Sequence, residues 1–191
     1  MYASIYLCLI HYSNQYIIQT QNLCKIKTKT TTTKTVDLGN CGGSLIAPNV
    51  VLTAAHCGSY DGKNVIVGAY EAGKTSNGAV SVKVTETKSH PNYNSSTERN
   101  DFALLKLESS VAGQLPNTNI VFSINDDKDK PTNGQDLVVL GLGDTVEGGA
   151  DGAPDFLRDV TVQAISTDEC NAESSYNGQV DDDVMFCAGE F

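Results

Sequence analysis

The chain has 191 residues, 40% of them hydrophobic, with six cysteines and a formal net charge of −10. That is enough length for one domain or a compact two-lobed one, with ordinary apolar content for a core. Residues 1–40 carry four Lys and one Asp, and residues 41–191 carry nine basic and 22 acidic side chains. An acidic body of this kind argues against a nucleic-acid partner, and no run of 18 apolar residues is present, so no membrane-spanning helix is expected.

In chain order, "YASIYLCLI" (2–10) is apolar but short, has no preceding Lys or Arg, and is broken at once by "HYSNQY". It reads as a weak signal-like segment, a wrongly assigned first exon or a poorly ordered tail. The Thr-rich "KIKTKTTTTKT" (25–35) reads as an edge strand or a linker. From Cys41 onward, short apolar runs recur every 10–20 residues: "SLIAPNVVLTAA", "NVIVGAY", "AVSVKVTETKSH", "DFALLKL", "NIVFSI", "DLVVLGLG" and "FLRDVTVQAIS". Turn signals such as "GKTSNG", "KPTNG" and "EGGADGAP" separate them. Alternation at period 2, as in "VSVKVTE", and the lack of a sustained helical stripe predict an all-β barrel or sandwich. The acidic stretches Asp126–Asp129 and Asp181–Asp183 read as solvated loops, without a calcium-loop spacing.

Cys41, Cys57, Cys170 and Cys187 fall into two local pairs, 16 and 17 residues apart, while Cys8 and Cys24 stand apart from them. With no C-x-x-C and only three scattered histidines, two short-range disulfides are a better reading than zinc, and they imply an oxidising compartment. His56 follows the small residues Thr53-Ala54-Ala55 at the end of an apolar run and abuts Cys57. A crosslinked neighbour fixes an imidazole in the way a general base requires. Asp101, 45 residues on, stands immediately before the apolar run "FALLKL". It is either an exposed strand-end carboxylate or a buried one that needs a donor, and an imidazole N–H is a suitable donor.

These motifs carry a resemblance. "CGGSLIAPNVVLTAAHC" resembles the His loop of trypsin-like serine proteases of the chymotrypsin fold, and "SHPNYNSSTERNDFALLKL" resembles their Asp segment. "VVLGLGDT" is similar to the start of the second barrel, with Leu142 where a Trp is usual. "FLRDVTVQAISTDEC" and "MFCAG" resemble the flanks of a second-barrel disulfide. The resemblance implies two antiparallel β-barrels with the active site between them, the second barrel incomplete here. It implies a domain over residues 34–191, with a first barrel at about 34–115 and a partial second at about 130–191, after a poorly ordered or signal-like segment over 1–33. It further implies disulfides Cys41–Cys57 and Cys170–Cys187, His56 as general base, and Asp101 as the group that holds its tautomer. His90 and Tyr93 match a family turn, and Ser44 and Ser166 match structural positions. No metal or organic cofactor is implied. The expected protein is secreted and monomeric, and acts on a protein or peptide. Asn94-Ser95-Ser96 is an N-glycosylation acceptor pattern.

Both ends depart from the family. Its nucleophilic serine lies in a Gly-Asp-Ser-Gly-Gly segment, and no such segment occurs here, where Phe191 follows Cys187 by four residues. Losing the serine of a triad costs on the order of 10⁶ in turnover, so a chain with these residues alone is expected to be inactive. The absent strands would leave unpaired edges in the second barrel. The nearest match to the family's mature Ile-Val-Gly-Gly start is Ile17-Ile18-Gln19-Thr20, which lacks both glycines. Two functions compete: a serine endopeptidase seen as a fragment, favoured by His56 and Asp101 together, and a secreted non-catalytic homologue acting as a binding or inhibitor protein, favoured by Gln19-Thr20.

Overall fold

The computed structural model describes residues 9–12, 15–19, 35–39, 41–115, 123–124, 131–142, 156–172, 176–181, 183 and 185–189. Its strands, in chain order, are β1 (Leu9–Tyr12), β2 (Gln15–Gln19), β3 (Thr35–Asp37), β4 (Gly42–Ala47), β5 (Val50–Thr53), β6 (Asn64–Val67), β7 (Val80–Ser89), β8 (Ala103–Leu107), β9 (Ser123–Ile124), β10 (Asp136–Gly141), β11 (Arg158–Ile165) and β12 (Cys187–Gly189). One four-residue helix, α1, covers Thr167–Cys170. Among the described residues no helix is long and apolar enough to cross a membrane.

Strands β3 to β8 close into a barrel in the order β3-β4-β5-β8-β7-β6, every ladder antiparallel. The period-2 pattern sets which side chains point inward. In β8, Ala103, Leu105 and Leu107 are buried while Leu104 and Lys106 face out. Val82 and Val84 do the same in β7 between exposed Ser81, Lys83 and Thr85. Val36, Val51, Val65, Val67, Leu105, Leu107 and Val111 are almost wholly removed from water, each worth about 1.5–3 kcal/mol of transfer free energy. Gly43 is a close approach: a Cβ there would stand 2.7 Å from Val51 Cγ1 and 3.3 Å from the Leu52 carbonyl oxygen.

A buried carboxylate ties two turns of the barrel together. Asp37 Oδ1 accepts a hydrogen bond from Gly39 N at 2.8 Å, and Oδ2 accepts from Gly73 N at 2.6 Å. These bonds offset the cost of burying its charge. The Tyr60 hydroxyl is pushed above its ordinary pKa by burial and then by the Asp37 charge.

The second sheet has the order β12-β11-β10-β2-β1-β9. Strands β10, β11 and β12 pair antiparallel, as expected for a second barrel. Leu137, Val139, Val160, Val162, Ala164 and Ala188 form its core. Beside them, Ile165, Cys170, Val180 and Cys187 pack around the second disulfide. The side of β10 away from β11 is paired: β2 runs parallel to it, Ile17 opposite Val138 and Ile18 opposite Val139. A strand edge presents a row of donors and acceptors that takes whatever extended segment is within reach. The Thr-rich segment 25–34 and the acidic stretch Asp126–Asp129 lie outside the described residues.

Among the described residues, contacts at two places join the halves. Leu157 N donates to the Tyr70 carbonyl at 2.7 Å, beside a Tyr70–Phe156 ring contact with centroids 5.5 Å apart. Arg99, from the loop before β8, forms an ion pair with Asp181 of the segment leading to Cys187.

Candidate active site

The meeting of His56 and Asp101 follows from strand register. β5 and β8 run antiparallel with Thr53 opposite Ala103. The end of β5 therefore lies beside the start of β8. His56 is three residues past Thr53 and Asp101 two residues before Ala103, so both reach the same rim of the barrel. Between Thr53 and His56 the chain turns sharply: Ala55–Cys57 is a single 3-10 turn, and Gly58 ends it at φ 78° with its N–H on the Ala55 carbonyl. That left-handed conformation suits glycine.

The staple beneath the histidine has two parts. Cys57 is joined to Cys41, with Cα atoms 6.2 Å apart, which binds the end of the turn to the chain just before β4. Thr53 Oγ1 donates to the Gly42 carbonyl at 2.8 Å. Two crosslinks, one covalent, thus hold the β4–β5 hairpin at the end that presents His56. The second disulfide, Cys170–Cys187, links α1 to β12.

Asp101 spends both carboxylate oxygens on His56. Oδ1 accepts from the His56 backbone N–H at 2.8 Å, and Oδ2 lies 2.6 Å from Nδ1. The Asp101 side chain is 2% exposed and that of His56 31%, so the carboxylate is sealed behind a ring that still reaches water. A buried carboxylate demands donors, which makes Nδ1 the protonated nitrogen and leaves the lone pair of the neutral ring on Nε2. The arrangement can accept a proton at Nε2 and stabilise the resulting imidazolium through Asp101.

The surroundings hold this pair in place. Asn100 sits in the left-handed region at φ 57°, turning the chain just ahead of Asp101, and donates from Nδ2 to the Asn92 carbonyl at 3.1 Å. His90 packs edge-on against Phe102 and accepts from Asn92 N at its Nδ1, which makes it a turn residue. The Tyr93 hydroxyl is pushed above its ordinary pKa by burial, then by the charges of Asp101 and Glu98.

The other sequence candidates fall elsewhere. Ser44 is buried in β4, and Ser166 caps α1, its Oγ accepting from Glu169 N at 3.3 Å. Asn94 is exposed in the loop before Asp101. His11 lies in β1, and Ile17, Ile18 and Gln19 lie in β2. In the Asp181–Asp183 stretch, Asp181 pairs with Arg99, and Asp182 lies outside the described residues. The sequence carried no sign of that pair, because it joins two turns far apart in the chain. Cys41, His56 and Cys57 bring potential ligand atoms within 4.8 Å of one another, but both sulfurs are bonded to each other and neither is the thiolate a metal needs.

Comparison with known proteins agrees with this geometry. The family model described as Trypsin matches residues 19–191. The chain is 32% identical over 149 residues to Trypsin Blo t 3 of Blomia tropicalis, covering 78% of this chain and 55% of that protein. It is 33% identical over 151 residues to Trypsin alpha of Drosophila melanogaster, covering 78% and 56%, and 31% identical over 149 residues to Trypsin delta of the same species, covering 78% and 57%. The chain thus spans little more than half the length of the curated relatives it matches. A closed six-stranded barrel, a second partial sheet and a family match over most of the chain lead to one conclusion: the chain belongs to the trypsin-like serine protease family.

Proposed function

We propose that this chain is the His–Asp portion of a secreted serine endopeptidase. The observation that carries the reading is the 2.6 Å contact between His56 Nδ1 and a buried Asp101 whose other oxygen holds the His56 backbone. A carboxylate at a strand end has no structural need to be sealed behind an imidazole, whereas general-base catalysis does need a ring fixed in one tautomer. The two disulfides and the family support an extracellular protein. The substrates are proteins or peptides, and the working unit is a monomer.

In this reading a serine hydroxyl attacks a peptide carbonyl. Its proton passes to His56 Nε2 and then to the leaving amine, while Asp101 stabilises the imidazolium between the two transfers. No serine of these 191 residues stands in a Gly-Asp-Ser-Gly-Gly segment. This reading assigns the nucleophile and the oxyanion donors to a further part of the protein, in keeping with the chain's coverage of little more than half of the relatives. The 191 residues alone are expected to orient His56 without turning over a substrate.

A fluorophosphonate probe, which phosphonylates only an activated serine and releases fluoride, tests the reading on the protein purified from its natural secretion. Labelling that disappears in a His56→Ala variant of the same full-length protein is the expected result. Absence of labelling, with specific capture of a protein partner, would overturn the reading in favour of a non-catalytic binding homologue.

A further inference from the structure

The loop between Asn94 and Asp101 holds a feature that the His–Asp chemistry does not use. Asn94 and Arg99 form an isolated antiparallel bridge, with Asn94 N on the Arg99 carbonyl at 3.1 Å. Residues 94–99 therefore form a small closed loop. Its neck is tied on one side to β8 through Asn100 and Asp101, and on the other to the second half through Arg99 and Asp181. Its tip, Ser95, Ser96 and Thr97, is exposed, as is Asn94 itself. The loop also carries Asn94-Ser95-Ser96, the one Asn-x-Ser/Thr pattern in the 191 residues.

The Asn94 side chain is oriented by its oxygen. Oδ1 accepts from the Ser96 backbone N–H at 2.9 Å, while Nδ2 has no hydrogen-bond partner among the described residues. The nitrogen that would bear a sugar is thus the one the fold leaves unoccupied. The exposed neighbours leave room around it. The loop also lies close to the candidate active site, since its Asn94–Arg99 neck leads through Asn100 directly to Asp101, whose oxygens hold His56.

We propose that Asn94 is an N-glycosylation site and that its glycan stands at the rim of the His56–Asp101 pair. The donor is an oligosaccharide carried on a polyprenyl pyrophosphate. Asn94 Nδ2 attacks the anomeric carbon, the Nδ2–C bond forms, the C–O bond to the pyrophosphate breaks, and Nδ2 gives up one proton as the lipid pyrophosphate leaves. The proposal rests on the extracellular reading of the protein but not on its catalytic activity.

The test uses the full-length protein expressed from its own gene in a eukaryotic cell line. Peptide mass spectrometry follows, before and after peptide N-glycosidase treatment in heavy-oxygen water. The expected result is a glycan mass on the peptide containing Asn94, and its conversion to oxygen-labelled Asp on treatment. Complete loss is expected in Ser96→Ala and retention in Ser96→Thr. The same digest reports the Cys41–Cys57 crosslink. An unmodified Asn94 in protein that carries the crosslink would overturn the glycan alone. An unmodified Asn94 together with reduced Cys41 and Cys57 would overturn the extracellular reading and the glycan with it.

Discussion

The barrel formed by β3 to β8 closes on itself, whereas the sheet built on β10 and β11 runs out to β12 on one side and takes β2 in parallel on the other. Both regions hold one disulfide, closing loops of nearly the same length, with sequence separations of 16 and 17. They differ in what the crosslink serves. In the closed barrel it sits under the turn that carries His56. In the open sheet it joins a four-residue helix to a three-residue strand and helps to make a small core of its own. Closure removes the edges and lets the barrel hold a functional side chain rigidly. The open sheet relies on outside strands and on its contacts with the barrel at Tyr70 and Arg99.

The largest expected effect is chemical. In the full-length protein, His56→Ala lowers kcat on a peptide ester by on the order of 10⁶, and Asp101→Asn lowers it by about 10⁴ with the fold intact. Loss of less than tenfold in either would mean that the closed barrel is a scaffold without a catalytic role. The disulfides sharpen the comparison next. Their loops predict an equal contribution of about 3 kcal/mol each from constraint of the unfolded chain. Denaturant melts of Cys41→Ser/Cys57→Ser and of Cys170→Ser/Cys187→Ser should then show similar losses of stability. Only the first should also broaden the NMR signals of the His56 ring. Equal broadening from the second pair would mean that the open sheet steadies the site as much as the barrel does.

Two glycines make a smaller contrast. Gly43→Ala places a Cβ 2.7 Å from Val51 Cγ1 inside the closed barrel, and Gly189→Ala places one 3.4 Å from Ile165 Cδ1 in β12. The first should cost about 1–3 kcal/mol through overpacking, read as a lower urea midpoint, and the second should leave the midpoint nearly unchanged.

The smallest effect is electrostatic, at Glu71, which forms an isolated β-bridge with Phe156, two residues before β11. Hydrogen bonds from Lys74 and Ser76 hold its carboxyl below the ordinary glutamate range. A folded-state pKa below the unfolded one adds stability that is present above the unfolded pKa and lost as pH falls through the folded one. The Glu71 side chain is partly exposed and its partner Lys74 mostly so, so solvent screening keeps the gain small. Melting temperature should therefore fall slightly more on acidification for the wild type than for Glu71→Gln. Parallel pH curves would show that the pairing adds nothing.

Much of the barrel was legible in the sequence because alternation fixes which face of a strand is buried. "VSVKV" and "ALLKL" could fold inward only one way. The His–Asp pair was legible because each residue ends or begins such a run, and the family resemblance supplied the pairing of the two runs. What alternation does not encode is the choice of partner. The parallel contact of β2 with β10, the Arg99–Asp181 pair and the Tyr70–Phe156 contact join segments by geometry that emerges only when the chain has folded. Asp37 was missed for a related reason. A carboxylate in "TVDLGN" looks like an ordinary turn residue until Gly73, 36 residues on, turns its N–H toward it. Gly43 read as part of a motif, and its physical cause, the closeness of Val51, appeared only in the packed barrel.

The most direct test of the account needs neither a nucleophile nor a substrate. It is a proton NMR spectrum of the folded 191-residue protein with labelled histidine, recorded in the far-downfield region where an imidazole N–H bonded to a carboxylate resonates. One such proton, assigned to His56 Nδ1, is expected in the wild type and is lost in a folded Asp101→Ala variant. A folded wild type whose His56 shows no such proton, or a proton that survives Asp101→Ala, would contradict the claim that the barrel holds His56 and Asp101 as a preformed pair.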